Sequence, residues 1–223
     1  MQGYYKENLS GERLRQCYEI APARVRQYLD AEIEHVACRI RPSDMVLELG
    51  CGYGRVVKRL AGASGSVVGI DTSLSSLQLA HELLGSESNT RLLAMDAVAL
   101  GFKDRSFDVV LCIQNGLSAF KVDQRVLIGE CIRVTRRGGI VLLSSYAERF
   151  WCHRLEWFQL QSDKGLLGPI DHARTGDGVI RCKDGFSAST ITPNDFASLT
   201  AGFDVEARIE EVDGSSLFCE ISV

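Results

Sequence analysis

The stretch VLELGCGYGRVV, residues 46–57, decides how the rest of the chain is read. A short apolar run carries one acidic residue, Glu48, and is followed by glycines at 50, 52 and 54. The apolar run suits a buried strand, and Arg55 and the residues after it suit the opening turns of a helix. Gly50, Gly52 and Gly54 let the chain turn sharply out of the strand and let a ligand lie directly on the backbone, because no Cβ stands in the way. Cys51 sits between two of these glycines and is expected to contribute its backbone rather than act as a nucleophile. The free N–H groups at a helix start face whatever is bound there.

Working outward, the chain alternates between two periods. Residues 66–70 form a second apolar run ending at Asp71-Thr72, and residues 91–95 a third ending at Asp96-Ala97. Residues 107–113, FDVVLCI, are apolar throughout, the mark of a strand buried on both faces, and are followed by Gln114-Asn115. Residues 139–145 form a fifth run. Helical patterns fill the gaps at 54–60, 73–84 and 123–134, with Leu74, Leu77, His81 and Leu84 expected on one face and Gly85 as a stop. Strand-helix alternation with short links implies a parallel sheet wrapped by helices, an α/β fold. Upstream, residues 10–20 read as a short helix capped by Ser10. A second helix opens at Pro22, with Val25, Leu29, Ile33, Val36 and Ile40 at helical spacing. Downstream, residues 148–165 read as a helix carrying Trp151 and Trp157, followed by a glycine-rich stretch with a short hairpin across Lys183-Asp184-Gly185. A last helix opens near Thr192 and Pro193, and the chain closes on a hairpin turned at Asp213-Gly214.

Composition narrows the function classes. The 223 residues carry 25 basic and 29 acidic side chains, a net charge of −4, so the basic face that a nucleic-acid partner requires is not expected. The run RVTRR at 133–137 is expected to be a solvated turn. No apolar stretch approaches the roughly 20 residues of a membrane span, and the polar start reads as neither a signal peptide nor an anchor. The eight cysteines contain no C-x-x-C pair, so no metal site of zinc-like spacing is expected and a reduced, cytoplasmic protein is the simplest reading.

In an open parallel sheet, ligands bind beyond the carboxyl ends of the strands. The polar residues named above stand at those ends. Glu48 with the glycine loop, Asp71 about 20 residues on, Asp96-Ala97, and the order of runs over 44–147 together resemble the class I S-adenosylmethionine-dependent methyltransferases. Gly138-Gly139 before the fifth run looks like that family's approach to strand five. The terminal hairpin looks like its antiparallel strands six and seven. The resemblance implies a Rossmann-like, seven-stranded, mostly parallel sheet with helices on both faces and a C-terminal antiparallel hairpin. It also implies S-adenosyl-L-methionine as cofactor. In that reading Asp71 and Thr72 take the ribose, Asp96 and Ala97 the adenine, Glu48 the loop and the methionine amino group, and Gln114 and Asn115 complete the site. The chain is then expected to be one domain. Residues 1–43 form an N-terminal helical segment, 44–147 the cofactor-binding core, 148–192 a variable substrate or lid insertion, and 193–223 the closing helix and hairpin.

The acceptor is expected to be a small molecule, with Tyr5, Tyr146, Trp151 and His153 as candidate contacts. Tyr4-Tyr5 offer a cover for the cofactor, and the aromatics after the fifth strand offer an acceptor wall. His172 is a further candidate base. Cys152 and Cys182 leave open a thiophilic metalloid acceptor. A sulfonium methyl is already electrophilic, so no obligatory catalytic residue is expected. Two other readings stay open: a nicotinamide-dependent oxidoreductase, and a non-catalytic cofactor-binding partner subunit. Oligomeric state is not legible.

Overall fold

A computed structural model describes residues 4–223, apart from the side chains of Tyr5 and Lys6. In chain order its first elements are helices α1 (Tyr4–Asn8), α2 (Glu12–Glu19) and α3 (Ala23–Ala37), strand β1 (Met45–Leu49), α4 (Arg55–Ala61), β2 (Ser66–Asp71), α5 (Leu74–Leu84), β3 (Thr90–Ala94) and β4 (Phe107–Cys112). There follow α6 (Gly116–Ala119), α7 (Gln124–Val134), β5 (Thr135–Tyr146), a 3-10 turn (Glu148–Phe150) and α8 (Trp151–Asp163). The chain ends with β6 (Val179–Arg181), β7 (Ser187–Ser189), α9 (Pro193–Thr200), β8 (Glu206–Val212) and β9 (Ser216–Ser222).

Seven strands form one sheet in the order β3-β2-β1-β4-β5-β9-β8, and β6 and β7 pair separately. The first five run parallel, while β9 is antiparallel to β5 and β8 to β9. This is the fold expected from the sequence. Alternation along each central strand feeds two cores. Leu47, Val68, Val110 and Val141 face α7 and α9, whereas Val46, Val67, Val109 and Leu142 face α3, α4 and α5. A third core joins the N-terminal helices to α8 and to residues 166–188.

Three local expectations are corrected. Leu74 is 72% exposed; the buried face of α5 is Ser76, Leu77, Ala80 and Leu84. The stripe is turned because the Ser76 hydroxyl accepts the Gly11 N–H at 2.9 Å, which ties α5 to the start of α2. Ser10 does not cap α2. Gly11 at φ 54 holds the N-cap position without a side-chain bond, and the Ser10 hydroxyl pairs instead with that of Ser75. RVTRR is no turn but the end of α7 and the start of β5, since Arg133 finds Glu130, Asp104 and two carbonyls within reach.

Gly69 in β2 lies directly beneath the glycine loop. A Cβ there would stand 2.9 Å from both Cys51 and Val57. Gly69→Ala should therefore destabilise the protein by about 1–3 kcal/mol through overpacking. Urea unfolding reads this, and an unchanged midpoint would show that the loop yields freely.

Candidate active site

The glycine loop is shaped by backbone bonds before any ligand is considered. Gly50, Gly52 and Gly54 have φ of 72°, 52° and 85°, the left-handed region that disfavours side chains. The N–H groups of Gly50 and Cys51 donate to the Ile70 carbonyl at 2.8 and 2.9 Å, pinning the loop across the end of β2. Asp71 completes the frame: its Oδ2 accepts from Gly52 N at 2.9 Å and its Oδ1 from Ser73 N at 2.7 Å. Each carboxylate oxygen keeps lone-pair capacity for a ligand.

The loop floors a cavity of about 390 Å³, within the range of small-molecule sites. Glu48, Gly50, Cys51, Gly52, Asp71, Thr72, Asp96, Ala97 and Gln114 all line it. Two of the expected site residues do not. Gly54 shapes the start of α4 instead. Asn115 is buried, and its Oδ1 accepts from the Ser145 hydroxyl at 2.9 Å. That bond holds an αL residue (φ 62) at the end of β4 and takes its side chain out of the site.

Other lining residues carry no motif of their own. Leu9, Ser10, Leu14 and Tyr18 come from the N-terminal segment, and Met95, Phe120 and Val122 from links after β3 and α6. Arg55 was legible in principle, as the first residue after the loop. Its guanidinium donates to Gln114 Oε1 and lies 4.7 Å over the Tyr18 ring. The N-terminal segment thus covers the cavity, but not with Tyr4. The Tyr4 hydroxyl bonds Asp184 and its ring meets Phe186, while the Tyr5 side chain lies outside the described residues.

Among the described acceptor candidates, Tyr146 lines a cavity, a small chamber adjoining the first at Gln114. Trp151 is half-buried near Arg154, and His153 is exposed against Phe150; neither lines either cavity. Cys152 is exposed and Cys182 buried. Among the described residues no group of three or more His, Cys, Asp or Glu is placed to hold a metal ion.

Charge in the cavity is lopsided. Glu48, Asp71 and Asp96 face it against one guanidinium, Arg55, among the described residues. Burial pushes the Glu48 carboxyl up to about 8 against the pull of Arg55, and its Oε2 is buried without a hydrogen-bond partner. Burial also raises Asp71, opposed by its backbone donors. The Cys51 thiol is pushed far up by burial and by both carboxylates, which favours its protonated form.

A methyltransferase-domain family model matches residues 46–139, the span from β1 through the loop to the start of β5. Over these residues the chain is similar to the class I S-adenosylmethionine-dependent methyltransferases. It is 35% identical over 109 residues to a 2-methyl-6-phytyl-1,4-hydroquinone methyltransferase of Synechocystis, covering 48% of this chain and 34% of that one. It is 35% identical over 106 residues to a demethylmenaquinone methyltransferase of Staphylococcus aureus, covering 46% and 43%. The matches thus span less than half the length of these curated relatives. The solved PH0226 protein of Pyrococcus horikoshii shares the fold over 98% of this chain and 97% of its own, with a TM-score of 0.69 at 19% identity. The curated similarity covers less than half of the chain.

Proposed function

We propose that the protein binds S-adenosyl-L-methionine on the glycine loop and transfers its methyl group to a small-molecule acceptor by in-line displacement. The observation that carries this is the buried, unpartnered Glu48 Oε2 in a cavity with three carboxylates and one guanidinium. Such a site suits a ligand with an ammonium and a sulfonium, and it disfavours the pyrophosphate of a nicotinamide dinucleotide. Glu48 would take the amino group, Asp71 the ribose hydroxyls, and Asp96 with Ala97 the adenine edge. The bound cofactor supplies an electrophilic methyl group. The chain's own task is to hold the acceptor in line and exclude water, and positioning of this kind is worth roughly 7–11 kcal/mol of a barrier. The two curated relatives are named for methylating a phytyl hydroquinone and demethylmenaquinone, which supports a ring-bearing acceptor. Among the described residues no helix is long and apolar enough to cross a membrane. Eight free thiols suit a reducing compartment such as the cytoplasm.

Calorimetry with S-adenosylhomocysteine and with NADH separates the cofactor readings: the first should bind and the second should not. Labelled methyl donor supplied with metabolite pools should then mark a small molecule. Cofactor binding with no labelled product from any pool would instead favour a non-catalytic partner subunit.

A further inference from the structure

We propose that the small chamber beside Gln114 is the acceptor's site, and that it takes an uncharged, flat hydroxyarene whose oxygen bonds the Tyr28 hydroxyl. This rests on the methyltransferase reading above. The order of strands supplies the direction. Asp96 and Asp71 follow β3 and β2, Glu48 lies on β1, Gln114 follows β4 and Tyr146 ends β5. A nucleoside held over β3 and β2 with its amino group at Glu48 has its sulfur between Asp71 and Glu48, and the cavity runs on from there to Gln114 after β4. The chamber continues that line. It shares Leu14, Tyr18 and Gln114 with the large cavity and runs on to Tyr28, Tyr146 and Trp157.

The lining selects the chemistry. Five aromatic rings face the chamber, and among the described residues no Asp, Glu, Lys, Arg or His does. An ion entering it would lose hydration without gaining a counter-charge, whereas a flat neutral ring gains edge and offset contacts. One buried polar atom is left over: the Tyr28 hydroxyl has no hydrogen-bond partner, and burial pushes its ionisation well up, so it remains a donor. Burial pushes the neighbouring Tyr146 phenol up as well, against Arg154 and the nearby Tyr28 hydroxyl, which lies beside it outside hydrogen-bond geometry. The Tyr146 ring is 5.3 Å from that of Tyr28, and the Arg154 guanidinium sits 4.4 Å over it. A cation on Tyr146 draws on its π density and favours an electron-rich neighbour. Arg154 itself is held by the carbonyls of Gly178 and Ala188 and by Thr190, which places the variable segment in control of this wall.

The chamber measures about 40 Å³, room for a water or two. A ring enters by displacing the face of α2, which contributes Leu14, Cys17 and Tyr18. The last turns of α2 are tied to α8 by a bond from Trp157 Nε1 to the Cys17 carbonyl at 2.8 Å, so Trp157 reports the displacement.

The test titrates 2-naphthol, 2-naphthoate and naphthalene into the full chain saturated with S-adenosylhomocysteine, by calorimetry. Fluorotryptophan labelling reads Trp157 by ¹⁹F NMR, with Trp151→Phe assigning the lines. Naphthol should bind at least about tenfold tighter than naphthoate and severalfold tighter than naphthalene, and it should shift the Trp157 line. Tyr28→Phe keeps the ring and should bring naphthol down to the affinity of naphthalene, with S-adenosylhomocysteine binding kept within about twofold. The idea is overturned if naphthoate binds as well as naphthol, if none of the three binds, if Tyr28→Phe leaves the preference intact, or if naphthol competes with S-adenosylhomocysteine. Failure of S-adenosylhomocysteine to bind would overturn the function proposed above instead, and the same titrations on the unliganded chain would still read the chamber.

Discussion

Asp71→Ala should lower S-adenosylhomocysteine affinity by about two orders of magnitude or more, with the fold intact. The residue acts twice. Its two oxygens accept from Gly52 N and Ser73 N, and those bonds hold the loop against the end of β2. The remaining lone pairs face the cavity, where both ribose hydroxyls can donate. Each charge-assisted bond is worth about 1.5–3 kcal/mol, and every 1.4 kcal/mol is a factor of about ten. Loss of two such bonds, together with a loosened Gly52 at φ 52°, gives the expected size. Asp71→Asn should fall between, because one of its two groups becomes a donor facing a backbone N–H. Calorimetry measures the affinity, and thermal unfolding of each variant checks the fold. An alanine variant that binds within about threefold of the parent would remove Asp71 from the site.

The second large effect is a loss of stability as pH rises. Glu32 on α3 is fully buried, and its carboxyl accepts from Gln114 N at 2.7 Å, the Ser144 hydroxyl at 2.8 Å and the Ser216 hydroxyl at 2.5 Å. Burial pushes its pKa up from 4.5 to about 7, opposed by these donors and by Arg55. Glu48 moves in the same direction, to about 8. In this range the folded protein holds protons that the unfolded chain releases, so unfolding free energy falls with rising pH. Stability is fullest near pH 4.5 and is lost progressively up to about pH 7 for Glu32 and about pH 8 for Glu48. A tenfold change in proton affinity is worth about 1.4 kcal/mol, so the Glu32 share is on the order of 3 kcal/mol. Urea unfolding of the unliganded protein between about pH 5 and 8.5 (a window spanning both groups) reads the slope. Glu32→Gln should flatten it below about pH 7, because serine hydroxyls can turn to donate or accept. A stability that rises with pH over this range would contradict the assignment. The same groups give a binding signature. A ligand ammonium beside Glu48 favours its ionised form, so binding near neutral pH should release a proton, and Glu48→Gln should abolish that release. Buffers of different ionisation heat detect it.

Much of this was legible from local pattern. The apolar runs, their alternation with helical periods and the closing Asp213-Gly214 hairpin specify the sheet, since each depends on neighbours a few residues apart. Spacing alone put Glu48, Gly50, Gly52, Asp71 and Asp96 at one edge of the sheet, where they line the large cavity, because a strand-end loop gathers residues close in the chain. Asn115 was misread for the opposite reason: its partner, Ser145, is 30 residues away on the next strand. Glu32 was passed over. It falls within the apolar stripe of α3, three residues after Leu29, but only the tertiary packing shows the three donors, from beyond β4 and from β5 and β9, that hold it there.

The amino-acid order alone thus determined the strand-loop-helix unit, the alternating sheet and the carboxylates at the strand ends, since those features depend on backbone freedom and on periods of two and 3.6 residues. Only the tertiary structure decided which side chains cover the large cavity, that Tyr28 and Tyr146 share a chamber with Trp157, and that two carboxyls are buried deeply enough to titrate near neutrality. Those properties come from segments distant in the chain packing together. Burial, and the energy of a charge in it, belongs to the assembled surroundings and not to any local run of residues.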